Sequence, residues 1–261
     1  MTLSRRPAVA GLFYPGDPRE LKHMVDGYLA EAPARDTPPK ALIAPHAGYI
    51  YSGSIAASAY ATLLPAHAAI TRVVLLGPAH RVPVRGLATS SAECFDTPLG
   101  SVDLDRAAID SALALPQVRI MDEAHAQEHS LEVQLPFLQE ALDRFTLVPF
   151  VVGDTSPAEV AEVLDLLWGG PETLIVVSSD LSHYYDYATA KRLDTATSTA
   201  IEALEPQDIH YEQACGRIPV NGLLELARRR GLHARTLDLR NSGDTAGPRD
   251  QVVGYGAYVF H

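Results

Sequence analysis

Short apolar, β-branched runs alternate along this chain with stretches whose apolar residues recur at helical spacing. The runs occupy residues 41–44, 73–76, 147–152, 174–177 and 252–260. They are brief and show no polar alternation, which predicts strands buried on both faces. Helices are predicted between them. Residues 18–32 carry Leu21, Met24, Val25, Tyr28 and Leu29 on one stripe, and residues 131–145 carry Leu131, Leu135, Leu138 and Leu142. Residues 54–64, 157–167, 187–204 and 219–230 read likewise. Ser130 stands where it can cap the helix from Leu131, and Thr155-Ser156-Pro157 combines a cap with proline at the first helical position. Strand–helix alternation predicts an α/β fold with a mixed, largely parallel central sheet flanked by helices. Antiparallel pairing is expected near residues 87–92 and at the carboxyl end. No linker interrupts the pattern, so residues 1–261 are expected to form a single domain.

Composition narrows the function classes. With 47% hydrophobic and 20% charged residues, the 261-residue chain has ample apolar material for a core. Its formal net charge of −11 opposes nucleic-acid binding. The only basic triplet, Arg228-Arg229-Arg230, is expected at a solvated helix end. No apolar run reaches a membrane-spanning length. Ser4-Arg5-Arg6 begins like a twin-arginine leader, but Pro15-Gly16-Asp17-Pro18 cuts it short, so no export signal is expected. Two cysteines make no disulfide framework, and a reducing cytoplasm is the expected location.

The candidate chemistry gathers in six peptides: Pro45-His46-Ala47-Gly48-Tyr49, Gly77-Pro78-Ala79-His80, Glu128-His129-Ser130-Leu131-Glu132, Ser178-Ser179-Asp180-Leu181-Ser182-His183-Tyr184, Ala214-Cys215-Gly216-Arg217 and Asn241-Ser242-Gly243-Asp244. The first, second and fourth follow predicted strands, whose carboxyl ends share one rim in an α/β sheet. His46 and His80 occupy equivalent strand ends, where two neutral imidazoles can bind one ion. Asp180 and His183 fall on one side if a helical turn starts there, with His183 as a general base and Asp180 orienting it. N-capping is the alternative for Asp180. His129 and Glu132 also have metal-binding spacing, although helix-start charge accounts for Glu132. Cys215 precedes a predicted helix, a position that favours thiolate. Tyr49 and Tyr51 are candidate substrate contacts. Cys94 and His125 are expected to pack and to lie at the surface, respectively. His23, His67, His210, His233 and His261 are expected at surface or linker positions.

Taken together, these peptides resemble the Memo family, named for mediator of ErbB2-driven cell motility. Its bacterial and archaeal members are called AmmeMemoRadiSam system protein B. The resemblance runs from Arg6-Pro7-Ala8-Val9-Ala10-Gly11-Leu12-Phe13-Tyr14-Pro15 through the strand-end peptides to Val253-Gly254-Tyr255-Gly256, in one order. It implies a class III extradiol dioxygenase architecture. It also implies metal-site positions at His46, His80 and Cys215, with Asp180, His183 and His129 lining the pocket. Cysteine in place of that architecture's carboxylate ligand implies a softer site for one transition metal ion: Fe(II) or Cu, with Zn as the alternative. Some members carry histidine after the Cys-Gly-Arg step, where this chain has Ile218. The system name implies functional association with AMMECR1-like and radical-SAM proteins.

Three functions follow as expectations. The first is a mononuclear non-haem iron or copper redox protein acting on a small-molecule or peptide substrate. The second is a non-catalytic peptide- or protein-binding module on the same fold. The third is a cysteine hydrolase using Cys215, His183 and Asp180. Two unused histidines and the lack of a nucleophile elbow count against the third.

Overall fold

The computed structural model describes residues 3–33 and 37–261. Its strands are β1 (Ser4–Arg5), β2 (Ala41–Ala44), β3 (Arg72–Pro78), β4 (Leu87–Thr89), β5 (Cys94–Thr97), β6 (Gly100–Asp103), β7 (Val118–Ile120), β8 (Thr146–Val152), β9 (Thr173–Ser178), β10 (His183–Tyr185), β11 (Ala234–Asn241) and β12 (Val252–Phe260). Its helices are α1 (Pro18–Glu31), α2 (Tyr49–Tyr60), α3 (Arg106–Ala112), α4 (Asp122–Ala126), α5 (Leu135–Ala141), α6 (Pro157–Leu166), α7 (Tyr187–Glu202) and α8 (Arg217–Arg230).

The main sheet runs β10-β12-β2-β9-β3-β8-β4-β7, with β11 also paired to β12. Its middle, β2-β9-β3-β8, is parallel. Antiparallel pairs flank it at β12–β2, β11–β12 and β4–β8. The expected fold class is therefore the observed one, including the antiparallel flanks. The apolar runs sit where expected because both sheet faces are covered: β2 and β9 are buried at every residue. Helices α1, α2 and α5 pack together, with α2 on β2 and β12; α6 and α8 pack together, with α8 on β3 and β9. A small sheet, β1-β5-β6, sits apart.

Some expected elements shift. Helix α2 begins at Tyr49, five residues before the predicted start, because Tyr49 N donates to Phe13 O (2.8 Å) and Gly48 O accepts the first helical bonds. The predicted helix over 131–145 is a short 3-10 turn, Glu132–Gln134, followed by α5, which Pro136 opens. Ser130 does not cap it; its hydroxyl donates to Pro78 O (3.0 Å) and ties the turn to the end of β3. Ser156 does cap α6, in a reciprocal box with Glu159. The Arg228–Arg230 triplet is exposed at the end of α8, as expected. Among the described residues, no helix is long and apolar enough to cross a membrane.

Candidate metal centre

Strand β9 lies between β2 and β3, so the carboxyl ends of all three open on one rim. His46 follows β2, His80 follows β3, and Asp180 follows β9. One ligand atom from each of His46, His80 and Cys215 lies within 4.8 Å of the other two. The His46 and His80 rings are 5.2 Å apart between centroids, and His129 stacks on His80 at 4.8 Å. Cys215 Sγ is 3.4 Å from His46 Nε2.

Hydrogen bonds fix which nitrogen of each ring is free. Ser178 Oγ donates its one proton to Ser130 O (2.6 Å) and accepts from Gln134 Nε2 (2.8 Å). His46 Nδ1, 2.8 Å from the same oxygen, must therefore be the donor, and Nε2 keeps its lone pair facing the thiol. His80 Nδ1 lies 2.9 Å from Glu128 Oε1, a carboxylate that can only accept, so His80 Nε2 is also free. In both rings Nδ1 is engaged as a donor, the arrangement that turns Nε2 over to a metal. Burial, then the neighbouring imidazoles of His80 and His129, push His46 well below its ordinary value, so it stays neutral.

Glu128 is the residue that sequence reasoning undervalued. Burial opposes its charge, but His80 and the surrounding backbone N–H groups overcome that and hold its carboxyl down to about 2. It accepts from His80 N (2.6 Å), His80 Nδ1, His129 N (2.9 Å) and Ser130 N (2.9 Å). A second cluster, His80, Glu128 and His129, has ligand atoms equally close together. Its carboxylate already accepts four N–H groups, three of them on Oε1, so Glu128 orients the imidazole of His80.

The segment after β9 is pinned at nearly every backbone group. Ser179 N donates to Ala44 O (2.9 Å), Leu181 N to Gly254 O (2.8 Å) and Ser182 N to Asp194 Oδ1 (3.0 Å). Asp180 Oδ1 accepts from His46 N (2.7 Å), which joins the ends of β2 and β9. Burial raises the Asp180 carboxyl above its ordinary range against the pull of His183 and the His46 amide. No helical turn forms here. The chain is extended into β10, and Tyr184 takes a φ of 61°, unusual for an aromatic residue and adjacent to the site. His183 is oriented by its own chain rather than by Asp180: Nδ1 donates to Leu181 O (2.8 Å), leaving Nε2 as acceptor.

Cys215 meets this segment from α8. Its N donates to Asp180 O (3.3 Å), and the next residue, Gly216, leaves no room for a side chain, since a Cβ there would sit 2.8 Å from Ser178 O. The thiolate expected at a helix start is not what the surroundings favour. Burial, then the Asp180 charge, push the thiol up to about 12. A cysteine–His183–Asp180 hydrolase arrangement is also absent among the described residues: Cys215 contacts His46, and Asp180 serves the His46 backbone.

A cleft of about 640 Å³ opens over the rings. His46, His80, His129, Asp180, His183 and Tyr51 line it. Phe13, Arg81, Tyr184, Gln251 and Tyr255 are among the other residues of its walls. Sequence reasoning gave none of these five a role, although Phe13, Tyr184 and Tyr255 fall in the peptides that carry the resemblance. Tyr49 departs from its expected place at the substrate. It is buried in the core with its hydroxyl donating to Val133 O (2.7 Å). Glu132 also faces away, buried against Arg5 Nη1 (2.5 Å), Tyr14 Oη (2.6 Å) and the amides of Ala8 and Val9. His125 is buried rather than exposed; its Nε2 meets Ala88 O (2.9 Å), and burial lowers it to about 4. Cys94 packs in the interior as expected, and the five outlying histidines are exposed.

The donor set fits a soft transition metal: two imidazoles whose Nδ1 atoms are tied up by hydrogen bonds, one sulfur and an adjacent buried carboxylate. The raised thiol, and a buried His129 Nδ1 that makes no hydrogen bond and lies 3.4 Å from Glu128 Oε1, are what a pocket shaped around a cation would show without its charge.

Fold and centre together define an α/β protein with an imidazole–thiol site at the carboxyl ends of its parallel strands. The chain belongs to the Memo-like protein family, whose model matches residues 5–259. It is 37% identical over 269 residues to a MEMO1 family protein of Aquifex aeolicus (strain VF5), covering 98% of each chain. It is 35% identical over 291 residues to one of Methanopyrus kandleri, covering 99% of each. Among solved structures it resembles an uncharacterized protein of Escherichia coli K12, with a TM-score of 0.52 and 13% identity over 84% of this chain and 98% of that one. That likeness speaks for the fold alone.

Proposed function

We propose that this chain is a mononuclear metal-dependent redox protein that holds iron or copper through His46, His80 and Cys215. The observation that carries the reading is the pair of hydrogen-bond relays, Ser178 to His46 and Glu128 to His80, which leave both Nε2 atoms free beside one sulfur. A bound ion would lower the thiol into its thiolate form and supply a one-electron couple at the floor of the cleft. Around it, the chain's own groups have separate tasks. His183 Nε2 accepts a proton from a substrate group in the cleft. Asp180 locks the His46 backbone, and His129 packs on His80 and limits water. Tyr51 meets the substrate at the mouth. The cleft suits a small molecule or a peptide side chain. The two free cysteines support a reducing compartment, the cytoplasm.

The test is metal analysis of protein purified without oxygen. The wild type is expected to carry one iron or copper per chain, and His46→Ala, His80→Ala and Cys215→Ala to lose it together with redox activity. Unchanged metal content in all three variants overturns the reading. A partner complex that survives His46→Ala/His80→Ala would instead support a binding module.

A further inference from the structure

Cys215 does not line the cleft that His46 lines. It opens on a second cleft of about 320 Å³, walled by Ala79, Val82, Val84, Ile218 and Pro219. The two clefts share no lining residue. The 3.4 Å contact between Cys215 Sγ and His46 Nε2 therefore crosses the wall between them. The centre is reached from one side through imidazoles and from the other through sulfur.

The second cleft has its own charge. Arg217 lines it two residues from the sulfur, half-buried, with its guanidinium over the exposed Tyr211 ring at 5.7 Å. Among the described residues it forms no ion pair. It is also the first residue of α8, a helix with no acidic residue in its first turn. A cation there adds to the positive helix end instead of offsetting it, which is the reverse of the usual preference. Asp154, at the same cleft, is exposed to solvent and correspondingly screened. Arg217 is therefore the cationic group of this cleft, set at its apolar walls, while the Asp180 charge acts on the sulfur from the other side.

We infer that this second cleft is a binding site for a small organic anion with a short apolar body, which reaches the Cys215 sulfur independently of the main cleft. Such a ligand sets its carboxylate or similar head on Arg217 and its body against Val82, Val84 and Ile218. The inference concerns access to the sulfur and stands whether or not a metal is bound.

Paired alkylating probes test it. Iodoacetate and iodoacetamide differ by one negative charge. Either forms an S–C bond at the thiol, expels iodide and releases the thiol proton to solvent. Bound metal slows both reagents and adds the same charge effect in wild type and in the Arg217 variants at equal metal content, so the change in ratio on replacing Arg217 is free of it. Modification of Cys215 is followed by peptide mass spectrometry in a Cys94→Ser background, with glutathione as the free-thiol reference. The expected result is an iodoacetate-to-iodoacetamide rate ratio above that of glutathione. It should fall roughly fivefold in Arg217→Gln, the effect of one unit charge about 4 Å away in high dielectric, and return in Arg217→Lys. Ile218→Trp should suppress both reagents, while Gln251→Trp, at the main cleft, should not. Val82→Trp is the substitute plug if Ile218→Trp fails to fold. A ratio indifferent to Arg217 overturns the anion site. Labelling blocked by Gln251→Trp and not by either plug, or no labelling of Cys215 at all, overturns the second entrance.

Discussion

Glu128→Gln isolates the orienting carboxylate without changing its shape. Glu128 Oε1 takes three N–H groups, from His80 Nδ1, His129 and Ser130, and Oε2 takes the His80 amide at 2.6 Å. Glutamine can keep an oxygen at the first position only by placing its NH2 against the His80 amide, donor against donor. Losing one buried, charge-assisted hydrogen bond costs about 1.5–3 kcal/mol. The same change removes the negative charge that makes His80 Nε2 basic, for which losses of roughly 10–100-fold in metal affinity are typical, or about 1.4–2.7 kcal/mol. The assay is competition with a chelator of known affinity, under nitrogen at neutral pH, alongside urea unfolding of the metal-free protein. Both affinity and stability should drop in Glu128→Gln, and His80→Ala should abolish binding. If Glu128→Gln binds metal as tightly as wild type while His80→Ala does not, the carboxylate does not orient His80 for the ion.

Three further outcomes are expected. Glu132→Ala strands the buried Arg5 guanidinium and should cost about 3–5 kcal/mol in denaturant unfolding without altering the metal stoichiometry of the folded fraction; a cost below about 1 kcal/mol contradicts the buried pair. Burial raises the Asp194 carboxyl from 3.8 to about 6, so its contribution is fully present below the unfolded value and is lost as pH rises through about 6. Asp194→Asn, which keeps an acceptor for Ser182, should flatten the stability profile between about pH 4 and 6 and be the more stable protein at neutral pH, by up to about 3 kcal/mol; equal pH profiles refute this. Gly216→Ala places a Cβ 2.8 Å from Ser178 O and should shift Cys215 off His46, giving an approximately tenfold or greater loss of metal affinity in a folded protein; unchanged affinity shows that the loop yields at little cost.

Strands were legible because β2 is buried on both faces and carries an unbroken apolar run, and β12 is almost wholly buried and apolar apart from its glycines; the observed bounds of both equal the expected ones. The shared rim of His46, His80 and Asp180 followed from strand ends alone. Side-chain direction did not. Tyr49 and Tyr51 are two residues apart on α2, and the helix turns one to the core and leaves the other at the cleft. Glu128 and Glu132 look alike in sequence, but their roles depend on partners 48 and 127 residues away. The relay through Ser178 and Gln134 uses ordinary polar residues with no local signature. The thiolate expectation failed for a similar reason: helix position is local, whereas burial and the Asp180 charge come from the tertiary fold.

Strand β9 sits between β2 and β3 although more than ninety residues of chain separate it from either. The Asp180–His46 hydrogen bond closes a loop of 134 residues, and the Cys215–His46 contact one of 169. Such distant contacts form late and slowly during folding. A nascent or partly folded chain therefore displays its imidazoles and its thiol as unrelated side chains, with weak and unselective grip on any ion. On the proposed function, loading of the ion would therefore come only after the whole sheet has closed, and would serve as a mark of the finished fold.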